Sequence, residues 1–125
     1  MSGRMPDLHR GVKMNPRFKL WIEKEGEVVF AEGRRLLLEA VRKRGSLNSA
    51  AKGLGMSYRA AWGKIKATEK RLDVRLLDAS IGGRGGGGAR LTPEAERLLK
   101  DYEIYQKKVK DCVEKEYKKI FGRFA

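Results

Sequence analysis

Apolar and polar residues alternate on both sides of a short polar stretch in residues 18–30, FKLWIEKEGEVVF. Leu20 and Ile22 occupy every second position before EKEG, and Val28 and Phe30 do so after it. Alternation interrupted by a glycine-bearing turn predicts a β-hairpin. The overlapping segment EVVFAEGRRLLLEAV also fits one longer helix, and this alternative stays open at the level of sequence.

The period changes in residues 33–44, GRRLLLEAVRKR, where apolar residues recur at helical spacing. This pattern predicts an amphipathic helix. Its apolar stripe consists of Leu36, Leu37, Ala40 and Val41. The basic residues 42–44 complement the negative end of the helix dipole, and contact with a polyanion is the alternative role for them. Gly45 is expected to end the helix, and Ser46 to cap the next one.

Two short helices joined by a glycine-bearing turn are predicted in the segment SLNSAAKGLGMSYRAAWGKI. The apolar face of the first helix consists of Leu47, Ala50, Ala51 and Leu54. Gly55 permits a sharp turn, Ser57 suits the N-cap of the second helix, and the small Ala51 lets the helices approach closely. The arrangement fits a helix-turn-helix, a spacing that many helical hairpins share.

The second of these helices, predicted for residues 57–71, has two chemically distinct faces. Its core face consists of Ala61, Ile65, Thr68 and Leu72, which recur at helical spacing. The candidate recognition residues are Ser57, Tyr58, Arg59, Trp62 and Lys66. A tryptophan beside Arg59 and Lys66 fits a surface that meets a partner. The alternatives are that Trp62 packs against the hairpin or wing and that the basic residues form an ordinary solvated face.

A run of glycines lies between two short apolar stretches in VRLLDASIGGRGGGGARLT. Leu76 and Leu77 anchor one side and Leu91 the other, which predicts a strand, a glycine loop and a second strand. Glycines allow such a hairpin tip to pass close to a sugar-phosphate backbone, where arginines reach phosphates or a minor groove. This is the wing of a winged helix-turn-helix. The candidate wing residues are Gly83, Arg84, Gly85, Gly86 and Arg90.

Two other interpretations of the glycine run have weaker support. Gly83, Gly85 and Gly88 match the spacing of a dinucleotide-binding loop, but no strand is predicted after the following helix, as that fold requires. A P-loop needs Lys-Ser or Lys-Thr after its last glycine, whereas Ala89 and Arg90 stand there. A single RGGGGAR unit is shorter than the repeated arginine-glycine tracts that bind RNA. The chain is therefore not expected to be an enzyme.

The segment that starts TPEAERLLKDYEIYQKK predicts one long helix with Thr92 as its N-cap and Pro93 at the first helical position. A seam with nearly heptad spacing consists of Leu98, Tyr102, Tyr105, Val109 and Cys112. A domain of this size has little core left to cover so long a helix, so the seam is the predicted dimer interface. The alternative interpretation is a helix that lies on a membrane surface, and the charges of both signs along the helix argue against it.

Composition narrows the class of partner. The chain has 125 residues, with 29 Lys+Arg against 16 Asp+Glu and a net charge of +13, which favours nucleic acid or, less often, an anionic membrane face. Its single cysteine, Cys112, and single histidine, His9, allow neither an internal disulfide nor a Cys/His zinc cluster. Nucleophilic catalysis of the Ser-His-Asp or Cys-His type needs a positioned histidine, and His9 lies in a polar start. No metal or cofactor is expected.

These patterns divide the chain into a basic flexible arm at 1–17, a winged helix-turn-helix domain at 18–91 and a long dimerisation helix at 92–125. The expected fold class is mainly α with a small β content. The first residues lack the apolar core of an export signal, and no apolar run is long enough to cross a bilayer. A cytoplasmic location without membrane contact is therefore expected.

Over about residues 18–105 the chain resembles the N-terminal DNA-binding domain of the ModE-type molybdate-responsive transcriptional regulators, which are related to the LysR-type winged helices. The resemblance rests on the hairpin, GSLNSAAKGLGMSYRAAW and GGRGGGGARLTPE. It implies a homodimer held by long helices, with two recognition helices in successive major grooves of a palindromic operator. It places the recognition role on Ser57, Tyr58, Arg59 and Trp62, and the wing role on Gly82 to Arg90.

The chain departs from the family pattern in two respects. Ala79 stands where these proteins usually carry an arginine after the first wing strand, so one DNA contact of the family is not expected here. The molybdate-binding domains of the family would follow the long helix, so molybdate sensing is not carried over. The leading interpretation is a sequence-specific dimeric regulator that binds double-stranded DNA, with a separate sensor protein as a conceivable partner. The alternative is a nonspecific architectural DNA- or RNA-binding protein.

Overall fold

The computed structural model describes residues 14–80 and 88–124. Its elements in chain order are β1 Trp21–Lys24, β2 Glu27–Ala31, α1 Glu32–Arg44, α2 Leu47–Gly53, α3 Tyr58–Leu72, β3 Leu77–Ser80, β4 Gly88–Leu91, α4 Pro93–Phe121 and a 3-10 turn Gly122–Phe124. The described strands form two separate antiparallel hairpins, β1–β2 and β3–β4. The predicted fold class, a mainly helical winged helix-turn-helix with small hairpins and a long C-terminal helix, is confirmed.

The first hairpin contains a bulge that the alternating pattern does not show. Ile22 pairs with Phe30 and Glu23 pairs with Val28, so Val29 is an extra residue in β2. A bulge of this kind redirects the side chains on the longer strand. Val29 and Phe30 are both buried as a result, whereas Val28 is only partly buried. The alternative of one continuous helix through this segment is wrong.

Helix α1 turns a different face to the core from the one predicted. Leu37, Leu38 and Val41 are fully buried, whereas Leu36, which the apolar stripe included, is 40% exposed. The buried face is shifted because α1 contacts α2, β2 and β4 simultaneously. Gly45 ends the helix with φ 78°, a left-handed conformation that glycine adopts without strain.

Short polar side chains begin both helices of the helix-turn-helix, as predicted. Ser46 Oγ accepts a hydrogen bond from Ser49 N–H at 3.0 Å, and Ser57 Oγ accepts one from Ala60 N–H at 3.0 Å. Each bond satisfies a backbone donor that has no partner within its helix. Gly55 lies in the turn between the helices with φ 71°, which confirms its predicted role.

Small residues allow α2 and α3 to share one core. Ala51 is 1% exposed and Ala61 is 0% exposed, so the two helices approach without bulky side chains between them. The other buried residues of α3 are Ile65 and Thr68. The predictions that Leu54 and Leu72 face the core are wrong, since they are 38% and 37% exposed. Leu54 lies just beyond the end of α2, and Leu72 is the last residue of α3.

The second hairpin is attached to the turn before α2 through the first residues of β4. Its strands pair in a regular antiparallel register. Gly88 also bridges Ser46, and Ala89 N–H donates to Gly45 O at 2.8 Å. The predicted strands are therefore confirmed at the base of the wing. The candidate wing residues Gly83, Arg84, Gly85 and Gly86 lie outside the described residues, as does His9.

Thr92 joins the second hairpin to α4. Its hydroxyl donates to Arg75 O at 2.5 Å and accepts from Ala95 N–H at 3.1 Å. Its own N–H donates to Leu76 O at 3.0 Å. The predicted N-cap is confirmed, and the residue is 4% exposed. The start of α4 is therefore held by the base of the wing.

The segment 14–20 runs beside α4 and contacts it near both of its ends. Tyr102 Oη donates to Leu20 O at 2.8 Å, and Tyr117 Oη donates to Met14 O at 3.3 Å. The first contact brings the hairpin end of the segment to the core, and the second lies near the C-terminal end of α4. We refer to residues 14–20 as the N-terminal segment.

Tyr102 belongs to the core of its own chain, which corrects its predicted place in the dimer seam. It is 2% exposed, and its ring lies edge-on to Phe30 with the centroids 5.0 Å apart. The first hairpin covers this turn of α4, so little of the tyrosine is available to a second chain. Leu98 packs partly against the same core. The remaining seam residues are partly or fully exposed: Tyr105, Val109 and Cys112.

Candidate nucleic-acid interface

One face of α3 is exposed along the length of the helix. The exposed residues at helical spacing on this face are Arg59, Gly63, Lys66 and Lys70. They lie opposite the buried face of the same helix. Gly63 leaves a gap in the stripe, and nothing lies within 4 Å of the position a Cβ would take there. This face therefore carries three cations and a point where another surface can approach the helix backbone.

Sequence reasoning identified only part of this stripe. Arg59 and Lys66 were predicted, but Gly63 and Lys70 were missed. The signal for both was available, since they lie four residues after Arg59 and Lys66 on the side opposite Ala61.

Trp62 lies at the edge of the exposed face of α3. Its side chain is 48% exposed, and Lys66 Nζ lies 5.7 Å from the centroid of its ring. Cation–π attraction of this kind is weak at an exposed site. The indole therefore lies at the protein surface beside one cation.

Glu69 connects α3 to the start of β3. Its Oε2 accepts a hydrogen bond from Leu76 N–H at 2.7 Å, and its Oε1 lies 3.1 Å from Lys66 Nζ. Burial opposes ionisation of this carboxyl, but the backbone hydrogen bond and Lys66 outweigh it and hold the pKa of Glu69 below its ordinary value. The charged form of Glu69 therefore ties the wing strands to the exposed helix.

The other two candidate recognition residues lie at the start of α3. Tyr58 is 51% exposed. The Ser57 hydroxyl oxygen caps the helix by accepting from Ala60 N–H, and its proton can still donate to an outside acceptor. Together with Arg59, these residues bring three different hydrogen-bonding groups to one end of the exposed face.

The described part of the wing carries cations near its base. Arg90 is exposed on β4 and pairs across the hairpin with Asp78. Asp78 Oδ1 forms an ion pair with Arg75 Nη2 at 3.1 Å. Ala79 is exposed on β3, so the position where the resemblance expects an arginine presents only a methyl group to solvent.

The basic cluster at the end of α1 is engaged in part within the chain. Arg42 Nη2 lies 2.6 Å from Glu96 Oε1 on α4. The guanidinium of Arg44 covers Gly53, where an added Cβ would lie 2.6 Å from Arg44 Cζ. These contacts favour the structural interpretation for Arg42 and Arg44 over direct contact with a polyanion.

Two properties of the described residues bear on other functions. Within residues 14–80 and 88–124, no group of three or more His, Cys, Asp or Glu side chains is placed to hold a metal ion. Among the helices in those ranges, none is both long and apolar enough to cross a membrane.

An exposed cationic helix preceded by a capped helix and followed by an attached hairpin defines a winged helix-turn-helix, a class in which the second helix of the motif contacts nucleic acid. Residues 36–96 match the family model described as "Bacterial regulatory helix-turn-helix protein, lysR family". This part of the chain is therefore similar to the LysR-type helix-turn-helix domain.

Curated relatives match about two thirds of this chain. The molybdenum-pterin-binding protein MopB of Rhodobacter capsulatus is 41% identical over 81 residues, which are 65% of this chain and 30% of that protein. The transcriptional regulator ModE of Haemophilus influenzae is 38% identical over 82 residues, which are 65% of this chain and 32% of that protein. The chain thus spans about a third of the length of these relatives.

Solved structures show the same fold. The DNA-binding domain of CbnR in complex with DNA is 26% identical with a TM-score of 0.50, and the match covers 62% of this chain and 83% of that one. Full-length CbnR with its target DNA matches at 24% identity with a TM-score of 0.53, over 69% of this chain and 28% of that one. The names of the matched family and of ModE are those of transcription regulators.

Proposed function

We propose that this protein is a transcriptional regulator that binds a palindromic operator in double-stranded DNA as a homodimer. The observation that carries the proposal is the exposed face of α3, with Arg59, Lys66 and Lys70 along it and Gly63 between them. An α-helix is about as wide as the major groove of B-DNA, so a helix exposed on this side can lie within it.

Affinity and specificity have different sources in this proposal. The net charge of +13 supplies phosphate contacts, which act on any sequence and weaken steeply with salt. Arg59 supplies base readout, because a guanidinium can donate two parallel hydrogen bonds to guanine. Tyr58 and Ser57 lie beside it at the same end of α3 and add polar contacts. The wing contacts the sugar-phosphate backbone beside the major groove through Arg84 and Arg90.

The dimer is proposed to form through the C-terminal part of α4. Beyond Tyr102 this helix leaves the core, and Tyr105 is 49% exposed. Val109 and Cys112 continue the seam on the same side of the helix. Further apolar side chains are exposed near the end of the chain, namely Ile120, Phe121 and Phe124. A second copy of α4 would cover them, and two recognition helices would then address two half-sites.

The test starts with selection of bound sequences from a pool of random duplexes. A regulator of this kind enriches two half-sites in inverted repeat, about one helical turn or a multiple of it apart. Arg59→Ala should then cost about 1–3 kcal/mol on the selected site and lower the ratio of specific to nonspecific affinity. Arg97→Ala is the matched control, because it removes the same charge from a side chain on α4 that is 78% exposed.

The outcomes separate the proposal from its alternative. A pool without enrichment, or a selected duplex displaced by equal amounts of random duplex or structured RNA, would indicate a nonspecific architectural protein. An unchanged specificity ratio in Arg59→Ala would show that α3 does not read the bases. The free thiol of Cys112 is exposed and suits the reducing cytoplasm, which is where we place this activity.

A further inference from the structure

A second group of cations lies where the first hairpin, α1 and α3 meet. Its members are Lys24, Arg34, Lys64 and Arg71, and we refer to them as the flank cluster. Arg34 Nε donates to Lys64 O at 3.4 Å, and Lys24 Nζ donates to Arg71 O at 3.0 Å. Arg71 Nη1 donates to Val28 O. The contacts bring the four side chains to one flank of α3.

The flank cluster lacks enough negative charge of its own. The carboxylate in ion-pair contact with it is Glu27, whose Oε2 lies 3.3 Å from Arg71 Nη2 and whose side chain is 68% exposed. Among the described residues, no carboxylate oxygen lies within 4.0 Å of the Arg34 guanidinium. Arg34 is nevertheless partly buried.

The local electrostatics of Arg34 are unfavourable in the isolated chain. Partial burial lowers the pKa of Arg34, and the positive charge of the neighbouring Arg71 lowers it further. Two neighbouring guanidinium groups, of which only Arg71 has an acid beside it within the described ranges, are stabilised when an anion binds both. The Nη groups of Arg34 form no hydrogen bond with other described residues, so their donors are available to that anion.

The position of the flank cluster indicates which anion it meets. Around the axis of α3, Lys64 and Arg71 lie on one side of the exposed face, and Trp62 and Glu69 lie on the other side. Glu69 bonds to Leu76 N–H, so its side of α3 is the one that adjoins the wing strands. The major groove has a phosphate backbone along each edge. A helix lying in it with the wing toward one backbone turns the flank cluster toward the other.

We propose that the flank cluster binds a backbone phosphate of the operator on the side of the recognition helix away from the wing. Arg34 is the central donor and Lys64 the exposed one, while Lys24 and Arg71 position the site through their bonds to backbone carbonyls. The proposal rests on the proposed function and adds a contact to α1 and the first hairpin. These elements thereby become part of the DNA-binding surface.

The test measures the salt dependence of DNA binding for the full chain. Each phosphate contact contributes about 0.9 to the slope of log affinity against log salt concentration. Arg34→Gln should reduce that slope by about 0.9, so that a fourfold rise in salt weakens binding about 3.5-fold less than in the wild type. The ratio of operator to random-duplex affinity should stay the same, because phosphates carry no sequence information.

Two further variants complete the test. Arg97→Gln is the matched control. It should leave the slope unchanged, because Arg97 lies on α4 and belongs neither to the exposed face of α3, nor to the wing, nor to the flank cluster. Lys64→Gln changes an exposed side chain that forms no ion pair with another described residue. It should reduce the slope even if Arg34→Gln fails to fold.

The outcomes distinguish this inference from the proposed function. If both flank variants keep the wild-type slope, or if Arg97→Gln lowers it equally, the flank cluster does not bind a phosphate. The proposed function is untouched by that result, as long as the protein still prefers its operator to random duplex. If the wild type does not discriminate between duplexes, the proposed function fails, and the slopes on random duplex still decide whether the flank cluster binds phosphate.

Discussion

Replacement of Thr92 by alanine offers the sharpest test of how the wing is joined to α4. The change removes the hydroxyl that donates to Arg75 O and accepts from Ala95 N–H, and keeps the backbone bond to Leu76 O. Thr92 is 4% exposed, so water cannot readily replace the lost partners. Both the cap of α4 and a carbonyl at the start of the wing strands are left unsatisfied.

The magnitude follows from these two losses. Removing a side-chain N-cap costs about 1 kcal/mol, and leaving the partly buried carbonyl of Arg75 without its donor costs about 1–2 kcal/mol, the lower part of the range for a buried group. We therefore expect Thr92→Ala to lower the free energy of unfolding by about 2–3 kcal/mol. Thr92→Ser keeps both hydroxyl bonds and removes one methyl group, so it should cost only about 0.8 kcal/mol.

The assay is urea unfolding followed by circular dichroism at one fixed protein concentration, since self-association would alter apparent stability. With an m-value of about 1–3 kcal/mol per molar, Thr92→Ala should lower the midpoint by about 0.7–3 M at unchanged m. If Thr92→Ala lies within about 0.5 kcal/mol of the wild type, or if Thr92→Ser is equally destabilised, the two hydroxyl bonds do not hold this joint.

Two further predictions concern charge and assembly. The pKa of Glu69 is held below its ordinary value of 4.5, so the stability it contributes is present above the unfolded pKa and is lost as pH falls through the folded one. Glu69→Gln should flatten the acid side of a plot of unfolding midpoint against pH, and an unchanged plot would show that Glu69 does not contribute. Val109→Gln should weaken the proposed dimer at least about tenfold in sedimentation equilibrium, whereas Lys108→Gln, one position off the seam, should not. Equal effects of these two changes would place the interface elsewhere.

Local signals in the sequence predicted the element ends well. Ser57 and Thr92 cap their helices because a short hydroxyl side chain can reach a nearby backbone N–H, which depends on neighbours in sequence. Gly55 adopts its positive φ for an equally local reason. The helix-turn-helix and the base of the wing could therefore be placed from the order of the residues alone.

Residues whose environment depends on distant segments were predicted less well. Tyr102 matches a heptad seam, but the first hairpin packs over it, and no periodicity within α4 can reveal that contact. Leu38 is buried in place of Leu36 because α1 packs against several distant elements at once, among them α2, β2 and β4. The flank cluster was missed for the same reason, since Arg34 and Arg71 are brought together only when the hairpin, α1 and α3 assemble.

The contacts of the N-terminal segment determine which sequence changes the segment can tolerate. Tyr102 and Tyr117 are separated by about 22 Å along α4, at the rise of an α-helix. The backbone between Leu20 and Met14 spans about 20 Å when extended. This length matches the spacing of the two tyrosines, so each hydroxyl lies opposite the carbonyl that it contacts. Both acceptors are backbone atoms, which every residue type provides. Substitutions within the segment should thus be tolerated more readily than the insertion or deletion of a single residue, which would break one of the two contacts.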